Sequence, residues 1–230
     1  MDDARRLLRL LQLTDSGFPT GAFSFSHGLE GLVAFGALAS EGDVAEVIAV
    51  NLREGFAGVE CPAMTHAWYA ARNGDPAGLV AVDTVVNAHK PVPVFRNGSI
   101  RTGRRLLESA SGVTSGPALD GYRGQVRAGQ APGHHAVAFG VVMEAAGVDE
   151  STAALALGAG FANGLAAAAV RLGVIGQGVA QRILAGHHDL LVDCAARGRA
   201  TSLDDMGAVM PMCDIAGLRH RGLSGRVFAS

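Results

Sequence analysis

From Ala153 to Val170 the chain reads AALALGAGFANGLAAAAV, in which Asn163 is the only polar side chain and proline is absent. Alanine and leucine favour helix and β-branching is scarce, so the run predicts a helix buried along much of its length. Gly158, Gly160 and Gly164 each cost about 1 kcal/mol against alanine in a helix, which the close approach of a neighbouring backbone can offset. The run is also near the lower length limit for a bilayer span. Alanine and glycine bury little area per residue and nothing comparable occurs elsewhere, so the run reads as the central core helix of an all-helical domain.

A chain of 230 residues, 49% of them hydrophobic, can build one substantial core. A net charge of -2, from 19 basic and 21 acidic residues spread along the chain, leaves no electrostatic footprint for nucleic acid. Lys90 is the only lysine; a biased genome composition accounts for such an arginine excess, and an arginine-dominated set also suits multi-donor contacts with carboxylates or partner proteins. Cys61, Cys194 and Cys213 are far apart and odd in number, so they form no disulfide framework and indicate a reducing compartment. The start, MDDARRLLRLLQL, does not resemble a signal peptide, and the expected location is the cytoplasm, with no membrane partner.

Helical spacing of Leu7, Leu10 and Leu11 predicts a short amphipathic helix over residues 3–13. Residues 15–25, DSGFPTGAFSF, mix turn formers with three phenylalanines that must pack inward or against a partner. Periodicity resumes at Ser26 through Leu29, Leu32 and Val33. Ser40 and Asp43 form a capping-box pattern ahead of Val44, Val47, Ile48, Leu52 and Phe56. Further helices are expected from Pro62 and from Pro76 behind its cap Asp75, whereas the two prolines of HKPVPVF make residues 89–95 a linker. Beyond it, residues 96–109 predict a helix with a basic face of Arg101, Arg104 and Arg105, residues 119–127 a short helix, and residues 134–147 an apolar one. The period of Val179, Ile183, Leu190 and Cys194 predicts one helix after the glycine-rich RLGVIGQG. The expectation is an all-α single domain of about nine helices over residues 1–200, with a less ordered tail over residues 201–230.

No glycine-rich segment opens a helix after a strand, so a phosphate-binding loop is excluded. For metal, His134-His135, His187-His188, Cys61 with His66, and the Met/Cys tail supply ligand types, but neighbours on a helix point about 100° apart and do not chelate by themselves. Ser26, His27 and Glu30 supply the residue types of a hydrolase or metalloenzyme. Adjacent helical positions do not converge as a triad must, so the competing reading is that Ser26 caps a helix while His27 and Glu30 stand on its surface.

Residues 12–30, QLTDSGFPTGAFSFSHGLE, resemble the N-terminal signature of the UreF family of urease accessory proteins. Three further stretches resemble that family in the same order: Arg101-Thr-Gly-Arg104-Arg-Leu-Leu, Val170-Arg171-Leu-Gly with Gly176-Gln177 and Gln181, and Asp214-Ile-Ala-Gly-Leu-Arg219-His220. The resemblance implies an all-helical, noncatalytic homodimer that assembles with UreD (also called UreH), the GTPase UreG and apo-urease. It would couple the GTPase to nickel insertion without holding a cofactor or a stable metal of its own. It also implies that residues 214–230 form a tail that meets UreD; Arg221 stands where an acidic residue is usual and the ending GLSGRVFAS is thinned in aromatics. The partner-binding residues it implies are Phe18, Phe23, Ser26, His27, Glu30, Arg104, Arg171, Gln177, Gln181, Arg219, His220 and Phe228.

Overall fold

Helix α3 (Glu41–Val50) starts at a complete capping box: Ser40 Oγ accepts from Asp43 N at 3.2 Å and the Asp43 carboxylate accepts from Ser40 N at 2.9 Å. The expected break at Pro62 does not occur. In the computed structural model, which describes residues 2–222 and 227–229, α3 runs through a π-helical segment (Asn51–Glu60) directly into α4 (Cys61–Arg72). A proline inside an α-helix removes one donor and crowds the carbonyl four residues back, here that of Gly58. The rod answers by widening: Cys61 N donates to Phe56 O, five residues back, and Gly58 O accepts from Gly207 N at 3.0 Å.

The other helices are α1 (Asp2–Thr14), α2 (Leu29–Ala34), α5 (Pro76–Ala88), α6 (Pro93–Ala110), α7 (Pro117–Arg127), α8 (His135–Ala145), α9 (Glu150–Arg171), α10 (Gln177–Gly186), α11 (His188–Ala200) and α12 (Pro211–Arg219). All regular structure among the described residues is helical. The rod merges two expected helices, while the helix expected after residue 177 is two, because Gly186 and His187 break it and His187 Nδ1 bonds Ile183 O at 2.7 Å. The linker assigned to residues 89–95 is shorter than expected: Pro93 takes the first helical position of α6, where its missing N–H costs nothing.

Helix α8 places every side chain from Ala136 to Met143 in the core. It crosses α4 so closely that a Cβ on Gly140 would sit 2.5 Å from Met64 O. Helix α9 lies beside them. By length and composition α9 could cross a membrane, but half of its apolar window is buried against other helices. None of the three glycines meets the neighbouring backbone their sequence implies: a Cβ on Gly158 would run into the side chain of Leu191 and, at 2.7 Å, that of Phe56, and Gly160 and Gly164 face open space. Helix α1 buries Leu13 and packs Leu10 inward but leaves Leu7 and Leu11 exposed. The tail's weak pattern becomes helix α12 by packing on α2, where a Cβ on Gly31 would lie 2.9 Å from Ala216 O.

Candidate partner-docking site

The signature loop is shaped by left-handed backbone. Gly21 (φ 73°), His27 (φ 52°) and Gly28 (φ 90°) turn the chain so that α2 starts at Leu29, not at Ser26. Gly28 is the cap, and Ser26 lies before the helix with its carbonyl accepting from Leu29 N at 3.1 Å. Ser26 is fully buried and Glu30 nearly so, which corrects the surface placement expected of Glu30. His27 is half-buried, edge-on to Phe161 with ring centroids 5.6 Å apart.

Glu30 turns to the far end of the chain. Its Oε2 meets His220 Nε2 at 2.9 Å and accepts from Phe228 N at 3.3 Å, while Oε1 accepts from Val227 N at 2.5 Å. Ala229 N adds a bond to Ser24 O at 2.9 Å. The Arg171 guanidinium is clasped between Phe23, at 3.6 Å, and Phe228, at 4.1 Å, and this desolvation draws its pKa down. Thus Phe23, Glu30, Arg171, His220 and Phe228, drawn from three separate motifs, form one junction. Among the described residues, His220 Nδ1 and Arg171 Nε have no hydrogen-bond partner in it.

Beside the junction, α12 is turned inside out. Its small residues Ala216 and Gly217 face inward, and Met212, Ile215 and Leu218 stand 44–62% exposed along one stripe, with Val209 just before it. Arg219 is exposed and lies 5.7 Å over the ring of Phe35. Phe18 is half-buried and packs on the core. Arg104 is outside the junction: exposed on α6, it donates to Pro132 O at 2.9 Å. Gln177 and Gln181 are exposed on α10, and the junction is made without them. The arginine-glycine motif of α6 is a packing device, because a Cβ on Gly103 would lie 2.7 Å from the His135 amide nitrogen, while Arg101 covers Phe25 at 4.6 Å. Residues 223–226 and 230, part of the thinned ending, lie outside the described residues, as does the side chain of Arg221.

Beneath the loop is a charged cluster that the sequence pattern missed, for which the lone lysine was the one available sign. Lys90 Nζ donates to Glu60 Oε1, with both side chains about one-seventh exposed. Burial alone would raise the Glu60 pKa, but Lys90's charge and hydrogen bond hold it below the usual carboxylate range. Burial pushes His27 and His134 down to about 4 and lowers His135, so all three are neutral at pH 7. His134 is also held between Ser99 Oγ at 3.1 Å and Asn87 Oδ1 at 3.3 Å.

The residues weighed for chemistry do not converge. Glu30 pairs with His220 and not with His27; Cys61 bonds Ala195 O at 3.6 Å, its thiol pushed up to about 12 by burial, and His66 meets Thr201 O at 3.0 Å. Among the described residues no group of three His, Cys, Asp or Glu is placed to hold a metal ion. The open groove of about 480 Å³ beside the π segment is lined by Arg53 and Arg197 and by Glu54 and Asp205, charges of both signs.

Fold and junction together define a class: an all-helical protein whose first loop and last residues clasp each other beside an exposed apolar helix face. The chain belongs to the UreF family, whose model matches residues 38–188. It is similar to proteins named urease accessory protein UreF from Trichodesmium erythraeum (32% identical over 99% of this chain and 98% of the relative), Bacillus sp. (32%, over 98% and 99%) and Paenarthrobacter aurescens (33%, over 97% of each).

Proposed function

We propose that this protein is a noncatalytic urease accessory protein, a cytoplasmic homodimer that joins UreD (UreH) and the GTPase UreG on apo-urease and couples the GTPase to nickel insertion. Nickel is cargo of the assembly rather than a resident cofactor of this chain. The observation that carries the reading is the inverted helix α12 beside the Glu30–His220 clasp: an exposed stripe of large apolar side chains on a helix already seated by small ones is a surface for another protein. The stripe and clasp suit UreD. What the clasp leaves of the aromatic loop and of the 171–181 turn suits UreG or a second copy, and the open Gly160 and Gly164 positions of α9 permit close approach of that second copy.

The test is size-exclusion chromatography of the protein with its own UreD and UreG counterparts, with and without GTP and nickel. A ternary peak is expected, together with loss of urease activation at limiting nickel when the protein is deleted. Activation unchanged by the deletion defeats the proposal. Met212→Asp/Leu218→Asp is expected to weaken UreD binding by more than tenfold while leaving the isolated fold intact.

A further inference from the structure

The segment between α11 and α12, residues 201–210, lies as a strap along the π segment. Gly207 N supplies the donor that Pro62 denies to Gly58 O. A Cβ on Gly58 would overlap the Gly207 carbonyl oxygen, so the rod and the strap are in backbone contact. The contact extends in both directions. A Cβ on Gly55 would lie 3.1 Å from Met210 Cε, and Asn51, whose Nδ2 donates to Val47 O at 2.8 Å, also reaches Cys213 Sγ at 3.8 Å. At the other end the segment stops at Glu60, the partner of Lys90. One side of the π segment is therefore read by the tail, from Gly207 to Cys213, and its last residue anchors the charged cluster under the signature loop.

We propose that strap and π segment are one cooperative unit, a relay through which movement of the tail reaches the Glu60–Lys90 cluster. This goes beyond the assembly role and stands without it, since it concerns the isolated chain. Its physical basis is that a π segment has less well-matched internal bonds than an α-helix and here takes a donor for the Gly58 carbonyl from outside, so withdrawing the strap removes a bond from the rod where Pro62 supplies none. Opening of the tail and loosening of the rod must then occur together.

The experiment is amide hydrogen exchange on the full-length protein. Gly207→Pro removes the donor, whereas Gly207→Ala keeps it and places its Cβ where nothing lies within 4 Å. Gly207→Pro is expected to speed exchange over residues 51–61 by about fivefold, the equivalent of one lost hydrogen bond, with Gly207→Ala unchanged. His220→Ala, which undoes the clasp with Glu30 and leaves the residues of the strap unchanged, is expected to speed exchange in α12 and in residues 51–61 alike. Acceleration confined to α12 in His220→Ala, or equal exchange in the proline and alanine variants, overturns the relay. Should Gly207→Pro fail to fold, Gly58→Ala displaces the strap by overlap and is expected to show the same accelerated rod.

Discussion

Asp83 and Glu30 are both carboxylates buried among helices, and each has three donors. Asp83 accepts from Tyr122 Oη at 2.8 Å, Gly133 N at 2.6 Å and His134 N at 2.9 Å, all within one stretch of α5, α7 and the turn before α8. Burial raises its pKa and the three bonds oppose that rise. Glu30 takes its donors from His220, Val227 and Phe228, at the opposite end of the chain. Similar chemistry is thus used in two ways. The Asp83 network is enclosed by α5, α7 and the turn before α8 and opens only when they part, whereas the Glu30 network is closed by the tail, whose release reaches the strap and the π segment but not Asp83.

The sharpest way to break this contrast is to remove each carboxylate. Asp83→Ala strands a hydroxyl and two amides in the core and is expected to cost about 3–5 kcal/mol in urea denaturation. Acidification probes the same region from another side. His27 and His134 have folded pKa values near 4 against 6.5 unfolded, so the unfolded chain binds more protons below pH 6.5. Their contribution is complete above pH 6.5 and is lost as pH falls towards 4, amounting to roughly 3 kcal/mol between them after allowance for partial solvation. A melting temperature that does not fall between pH 6.5 and 4.5, or a fall that His134→Gln leaves equally steep, contradicts this.

Glu30→Ala is expected to cost only about 1–2 kcal/mol globally, with cleavage by a nonspecific protease appearing first within residues 201–229. If its urea midpoint drops as far as that of Asp83→Ala, the two networks are not distinct. The smallest effect concerns glycine. Gly121→Ala, in open space on α7, is expected to raise stability by about 0.5–1 kcal/mol, and Gly158→Ala, facing Phe56, to lower it.

Most of the helices were legible because their signals are local: the Ser40 capping box, Asp75 before Pro76, Gly147 and Asp149 between α8 and α9, and apolar spacing throughout. Errors arose where a distant partner overrode a local rule. Pro62 reads as a helix start unless Gly207 is known to satisfy Gly58, and Glu30 reads as a surface residue unless His220 is known to reach it. The junction was legible only piecemeal. Family resemblance picked out Phe23, Glu30, Arg171, His220 and Phe228, but nothing in their spacing says that they meet. The same resemblance included Arg104, Gln177 and Gln181, which the junction does not use. The Lys90–Glu60 pair was missed because its two members have no periodic relation in the chain.

That pair also limits how this molecule can be studied. Its single lysine is committed to a carboxylate and only 13% exposed, so amine-directed reagents find almost no side chain to label. A blank cross-linking map made with such reagents would report the scarcity of reactive amines, not the scarcity of neighbours. Contacts of this chain have to be mapped through its carboxylates.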